Sequence, residues 1–209
     1  MTLATAHEFG DSLAEYHRMR YRLFIEQEGW DVPSFGGLEY DEFDTPATVY
    51  LIKRSEPFGP VQGGIRLYPT SQPYMIEKIW PDLIQGRDLP KSPLIWEGSR
   101  MSPAPELDVP TRRAVLDEIG AAMFEFLQDH GVTNVLFQMP PKLFEFWAGG
   151  DRENYELLGP PITLPDGEEL VGGWVKISEM LVRRAKKKID ATRPLLVYPR
   201  GDIPYRRAA

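Results

Sequence analysis

The 209-residue chain contains no cysteine and only three histidines, His7, His17 and His130. The first absence removes disulfides, thiolate metal ligands and any Cys nucleophile. The second leaves no metal site built on histidine, since none of the three has zinc-ligand spacing, and each reads as a surface or helix-end residue. Ser-His-Asp hydrolysis is disfavoured too, because Ser99 lies in Glu-Gly-Ser-Arg and not in a G-x-S-x-G elbow. No apolar run is long enough to cross a bilayer, and no basic segment followed by an apolar one opens the chain, so a cytoplasmic protein without stable membrane association is expected. An excess of basic charge is also lacking. The net charge of -7 argues against a nucleic-acid partner, although residues 183–188 and 200–207 are locally basic.

What remains is an ordinary globular composition, 42% hydrophobic and 26% charged, with 20 prolines and 18 glycines that imply many turns. One domain over residues 1–190 is expected, followed by a loosely held tail over 191–209. Apolar spacing predicts a helix over 11–27, capped by Asp11 or Ser12 and stopped at Gly29. Residues 30–38 read as loop. Strands are predicted at 47–54 and 62–68 as a hairpin, then at 94–101, 132–139 and 170–177. The clearest helix spans 111–130, capped by Thr111, with Val115, Ile119, Met123, Phe126 and Leu127 on one face and Gly131 as its stop. Strand, helix, strand over 94–139 makes a βαβ unit with parallel strands. Shorter helices are expected near 81–85, 142–147 and 179–190. The fold class is α/β.

Charge inside apolar strands is the informative feature. Glu97 and Arg100 sit within Leu94-Ile95-Trp96-Glu97-Gly98-Ser99-Arg100-Met101, and Arg66 lies between Ile65 and Leu67. An ionised group withdrawn from water costs several kcal/mol unless paired, so each is expected to find a charged partner elsewhere. Asp41 and Asp44 are candidate acids, from the run Glu39 to Asp44; Arg20 and Arg66 are candidate bases. That acidic run is read either as a solvated surface or as a device that locks an arginine or holds a cationic ligand. No strand here leads into the Arg/Gln-x-x-Gly-x-Gly/Ala turn with which generic acetyl-CoA-dependent N-acetyltransferases hold pyrophosphate.

Taken together, these positions resemble the acyl-homoserine-lactone synthases, the autoinducer synthases of bacterial quorum sensing. The likeness lies in Arg-x-x-x-Phe-x-x-x-x-x-Trp at Arg20, Phe24 and Trp30, Glu-x-Asp-x-Phe-Asp over Glu39 to Asp44, Arg-Leu-Tyr-Pro-Thr from Arg66 with Pro73-Tyr74-Met75 behind it, and Trp-Glu-x-Ser-Arg from Trp96 to Arg100. The resemblance implies a three-layer α-β-α sandwich with a mixed central sheet, similar to the N-acyltransferases, with a cleft where strands splay. It also implies S-adenosylmethionine and an acyl thioester as substrates, acyl carrier protein being the favoured carrier and coenzyme A the other, with no metal or cofactor. N-acylation then lactonisation would release methylthioadenosine. Alternatives are an N-acyltransferase on another amine, or a diverged non-catalytic binder.

In that scheme Glu97 is the candidate base toward the substrate amine, acting directly or through water. Asp41, Asp44, Arg66 and Arg100, expected with it among the catalytic residues, form a paired network that orders the loop over the substrate, with Arg20 near the methionyl carboxylate. Phe24 and Trp30 offer an aromatic wall to the sulfonium and adenosine, and Ser99 is counted among the substrate-binding residues. Met75, Phe137, Met139, Phe144, Phe146 and Trp147 are candidates for the acyl pocket, although a Met and aromatic stripe also suits a core. In this family a Thr in the strand after the long helix accompanies 3-oxo chains; Val135 to Met139 has none, which disfavours a 3-oxo donor. Arg152 and the 183–188 cluster either dock acidic carrier protein or form a solvated face. A monomer or weak dimer is expected.

Overall fold

A computed structural model describes residues 1–147 and 153–198, with side chains for all of these except 145–147. The first long helix, α1 (Ser12–Arg20), runs on into a π-helical segment, Tyr21–Gln27. Neither Asp11 nor Ser12 caps it through a side chain; the Ser12 hydroxyl turns back to the Phe9 carbonyl at 2.6 Å. The predicted loop contains a two-strand ladder, β1 (Ser34–Phe35) and β2 (Leu38–Glu39), joined by Gly36-Gly37. Both glycines have positive φ, 59° and 75°, which is the geometry a two-residue hairpin turn demands.

Next come β3 (Val49–Arg54) and β4 (Val61–Pro69), the predicted hairpin, then α2 (Met75–Ile79), β5 (Ile95–Pro103), α3 (Val109–Asp129) and β6 (Asn134–Met139). Helix α2 is six residues upstream of the expected one; Pro81 begins only a single 3₁₀ turn. Asp108, not Thr111, caps α3, its carboxylate accepting from the Thr111 amide at 2.8 Å. Pro110 in the first turn suits that start, since a proline there forfeits no helical hydrogen bond. The chain ends with α4 (Pro141–Trp147), β7 (Tyr155–Leu157), β8 (Ile162–Thr163), β9 (Glu169–Lys176) and α5 (Glu179–Lys188). Strands β7 and β8 are too short to show alternation.

Among the described residues the main sheet has seven strands in the order β3-β4-β5-β6-β9-β7, with β8 on β9. Only β5 and β6 run parallel; the remaining pairs are antiparallel, so the sheet is mixed. Ile65 and Leu67 of β4 pack with Val115, Ile119, Met123 and Leu127 of α3 on one face. Tyr50 of β3 meets Tyr16 and Met19 of α1 on the other. The architecture is therefore the three-layer sandwich expected. No helix among the described residues is long and apolar enough to cross a membrane.

Past α5, the Leu195 amide donates to Glu125 at 3.2 Å and the Tyr198 hydroxyl to Asp129 at 3.1 Å. Leu196 and Tyr198 rest against the α3 core. Arg152 and the basic stretch from Arg200 to Arg207 lie outside the described residues.

Candidate active site

Strand register assembles the site. Paired residues of neighbouring strands project to the same face, and Arg66↔Ser99 and Tyr68↔Glu97 are direct partners across β4 and β5. Four polar side chains thus stand together on the face away from α3. Arg100 would point to the opposite face by simple alternation. It escapes because Gly64 pairs Ser102 while Arg66 pairs Ser99, so two residues of β5 oppose Ile65 alone. This is a β-bulge, and Arg100 carries its strain with φ of 54°.

Three arginines and three acids interlock there. Arg20 is fully buried; its Nε donates to Glu39, and its Nη1 and Nη2 donate to the two oxygens of Asp44 at 2.9 and 3.0 Å. Arg66, also fully buried, reaches Ser99 Oγ at 2.9 Å, Asp41 Oδ2 at 3.1 Å and Asp44 Oδ2 at 2.9 Å. Arg100 reaches Glu39 Oε1 at 3.1 Å and Asp41 Oδ2 at 3.0 Å. Burial works against ionised Asp44, but the Arg20 hydrogen bond and the nearby Arg66 charge outweigh it and hold its carboxyl well below the usual range. The acidic run is accordingly an arginine lock.

Glu97 departs from expectation. It is fully buried, yet neither Arg20 nor Arg66 bonds it; its partners are the Tyr68 hydroxyl and the amides of Met75 and Ile76, both at 2.8 Å. Neutral donors suffice because the amides belong to the first turn of α2 and have no helical acceptor. Burial raises the Glu97 pKa, while Tyr68, the two amides and the Arg66 charge pull against that rise.

Phe24 and Trp30 stack with ring centroids 4.7 Å apart. The Arg100 guanidinium already lies over both, 5.3 and 5.7 Å from their centroids, so a cationic ligand is left with the open side of Trp30, which is 46% exposed. Arg20, with its three nitrogens engaged, presents nothing to solvent. Arg100 retains the exposed edge, its side chain being 9% accessible.

Beside the network is an open cleft of about 460 Å³ with Glu42, Phe43, Gln72, Pro73 and Lys78 in its walls. Another opening lies in the sheet itself. Strands β5 and β6 pair only at Ile95↔Asn134, Trp96↔Val135 and Glu97↔Leu136, after which β5 continues to Pro103 and β6 to Met139 without a shared ladder. Glu97 stands at the base of that splay.

Of the acyl-pocket candidates, Met75 lies against Glu97 through its amide, and its sulfur accepts from Gln138 Nε2 at 3.1 Å. Phe137 and Phe144 do not join it. They pack in the α3-side core, with Met139 resting against them. Phe137 fills the space a side chain at Gly98 would need, its Cε1 being 2.4 Å from an ideal Cβ there. The side chains of Phe146 and Trp147 lie outside the described residues. Glu39 and Tyr68, which both fall inside the quoted motifs, are further residues of this site, and period-two alternation from Arg66 is the sequence signal that puts Tyr68 on the same face.

The autoinducer synthase family model matches residues 6–144, most of the chain and the whole of this site. The chain belongs to the autoinducer synthase family. It is 36% identical over 181 residues to the isovaleryl-homoserine lactone synthase of Bradyrhizobium diazoefficiens, covering 85% of this chain and 76% of that one. A coenzyme A-dependent acyl-homoserine lactone synthase, BjaI, solved with S-adenosylmethionine and isopentyl-CoA, superposes with a TM-score of 0.78 at 29% identity, over 92% of this chain and 89% of that one. A putative N-acetyltransferase from Lactobacillus plantarum shares the fold at a TM-score of 0.52 and 16% identity, over 79% of this chain and 90% of that one. As an autoinducer synthase the chain is an acyltransferase of quorum-sensing signal synthesis.

Proposed function

We propose that this autoinducer synthase joins S-adenosylmethionine to an acyl thioester carried by coenzyme A. The observation that carries the reading is the splay of β5 from β6 with a buried carboxylate, Glu97, at its base and an arginine-acid lock alongside. Splayed strands leave backbone donors and acceptors unpaired on their facing edges, which suits an extended amide-bearing arm. Coenzyme A is favoured over acyl carrier protein as the carrier because the similar BjaI is coenzyme A-dependent. In addition, Lys186 and Lys188 of α5 are tied to Glu125 and Asp117 of α3, which takes two cations from a carrier-protein surface.

The amino group loses a proton toward Glu97 and attacks the thioester carbonyl; a C–N bond forms, the C–S bond breaks, and the thiol leaves with the second proton. The methionyl carboxylate then attacks its own γ-carbon, closing the lactone while the sulfonium leaves as neutral methylthioadenosine. Adenosine stacks on the open side of Trp30, and the carboxylate approaches Arg100 in place of Arg20. The chain supplies no resident cofactor to this chemistry and works in the cytoplasm, where both substrates are made.

Incubation with S-adenosylmethionine and matched acyl-CoA and acyl-carrier-protein donors tests it. Methylthioadenosine should appear only when both substrates are present, and faster with coenzyme A. Acyl transfer to another amine with release of the thiol, and without methylthioadenosine, would favour the simple N-acyltransferase.

A further inference from the structure

Glu97 is fully buried, and Tyr68, its partner across β4 and β5, is only 2% exposed. Oε2 of Glu97 accepts from the Tyr68 hydroxyl and the Met75 amide, and Oε1 accepts from the Ile76 amide. Of these three donors only one can also pass a proton on. The two amides cannot, because an amide N–H donates but its nitrogen has no basic lone pair with which to accept. A phenol can do both, taking a proton on oxygen as it gives up its own.

We propose that Tyr68 is a catalytic residue that passes the proton of the substrate ammonium to Glu97. This inference rests on the N-acylation proposed above and adds the route its first proton takes. In the step, an ammonium N–H gives its proton to Tyr68 Oη while the phenolic proton moves to Glu97 Oε2. The phenol is regenerated, the carboxylate becomes a carboxylic acid, and the amine is left neutral for attack. No charge is created outside the pair.

The surroundings fit a relay. Tyr68 and Glu97 are direct partners across β4 and β5, so the donor is held by sheet register and not by a loop. The Arg66 guanidinium lies 5.7 Å from the Tyr68 ring centroid, where its charge favours electron density moving onto the phenol. Ser99, a polar neighbour on the same face, is 6% exposed and held by Arg66 Nε at 2.9 Å. Asp41 and Asp44 are poor rivals as bases, because each is held by arginine nitrogens through both of its oxygens.

Tyr68→Phe keeps the ring and removes only the relaying oxygen. We expect kcat to fall roughly 100-fold or more at pH 7, with S-adenosylmethionine affinity by calorimetry unchanged. The deficit should shrink as pH rises toward about 8, where an α-amino group deprotonates unaided; a merely structural loss would not recover in this way. If the variant does not fold, wild-type solvent isotope effects decide instead. A proton inventory that curves, as two protons in flight require, supports the relay, and a straight one overturns it. Near wild-type kcat in Tyr68→Phe, or a deficit that pH leaves unaltered, also overturns it. Wild-type enzyme that releases methylthioadenosine while Tyr68→Phe shows no defect refutes the relay alone; wild-type enzyme that forms no product removes both proposals.

Discussion

Arg100 donates from Nε and Nη2 to a single oxygen of Glu39, at 3.2 and 3.1 Å, and it does so from a left-handed backbone. Glu39 also takes the Nε–H of Arg20, so one fully buried carboxylate joins two of the three arginines. Glu39→Ala should therefore cost about 3–5 kcal/mol by leaving buried guanidinium unpaired. Urea unfolding would show a lower midpoint at unchanged m-value. A loss below about 1 kcal/mol would mean that Asp41 and Asp44 alone balance the arginines.

Gly98 faces Phe137 so closely that an added methyl must displace the ring. Gly98→Ala is expected to lose about 1–3 kcal/mol through overpacking. Phe137→Leu in the same chain should recover part of that loss, a coupling that a double-mutant cycle measures. Because Phe137 belongs to the α3-side core, Phe137→Leu should leave the acyl-chain preference as it was. A shifted preference with unchanged stability would return Phe137 to the acyl pocket.

His17 is buried with Nδ1 2.7 Å from the Glu39 carbonyl oxygen. Burial first, and then the Arg20 charge, lowers its pKa below the ordinary 6.5. A histidine whose folded pKa is depressed contributes stability above its unfolded pKa, and that stability is lost as pH falls from about 6.5 through the lower folded value. Unfolding free energy should thus decline between pH 7 and pH 5. His17→Asn, whose amide nitrogen can replace Nδ1, should flatten the slope; an equal slope in both proteins would assign it to another group.

Trp30 is the exposed member of the stacked pair with Phe24. Trp30→Ala should weaken S-adenosylmethionine binding by about 1–3 kcal/mol, the usual worth of stacking a base on an aromatic ring, with little change in thermal midpoint. Calorimetry on the folded variant measures this directly. Unaltered affinity would place adenosine elsewhere.

Much of this site was legible from residue order because its logic is local. A charge inside an apolar strand must be compensated, and the acidic run before β3 was the place to look. The long helix and its neighbouring strands were equally plain, since Val115, Ile119, Met123, Phe126 and Leu127 repeat at helical spacing and all are buried. What escaped was the partner of Glu97. Backbone amides carry no mark in a sequence, and the start of α2 at Met75 is signalled by no side-chain cap. The face to which Phe137 points was equally hidden, because apolar residues line both faces of a buried strand and only register separates Phe137 from Leu136. The bulge at Arg100 needs three-dimensional pairing to be seen at all.

The most direct test of the whole account follows oxygen. S-adenosylmethionine labelled with ¹⁸O in both carboxylate positions is incubated with the chain and an acyl-CoA, and the extracted product is examined by mass spectrometry. Closure by the methionyl carboxylate predicts an acyl-homoserine lactone that keeps both labels, formed in equal amount with methylthioadenosine. An open-chain acylated product, a lactone that has lost a label, or thiol release without methylthioadenosine would contradict it.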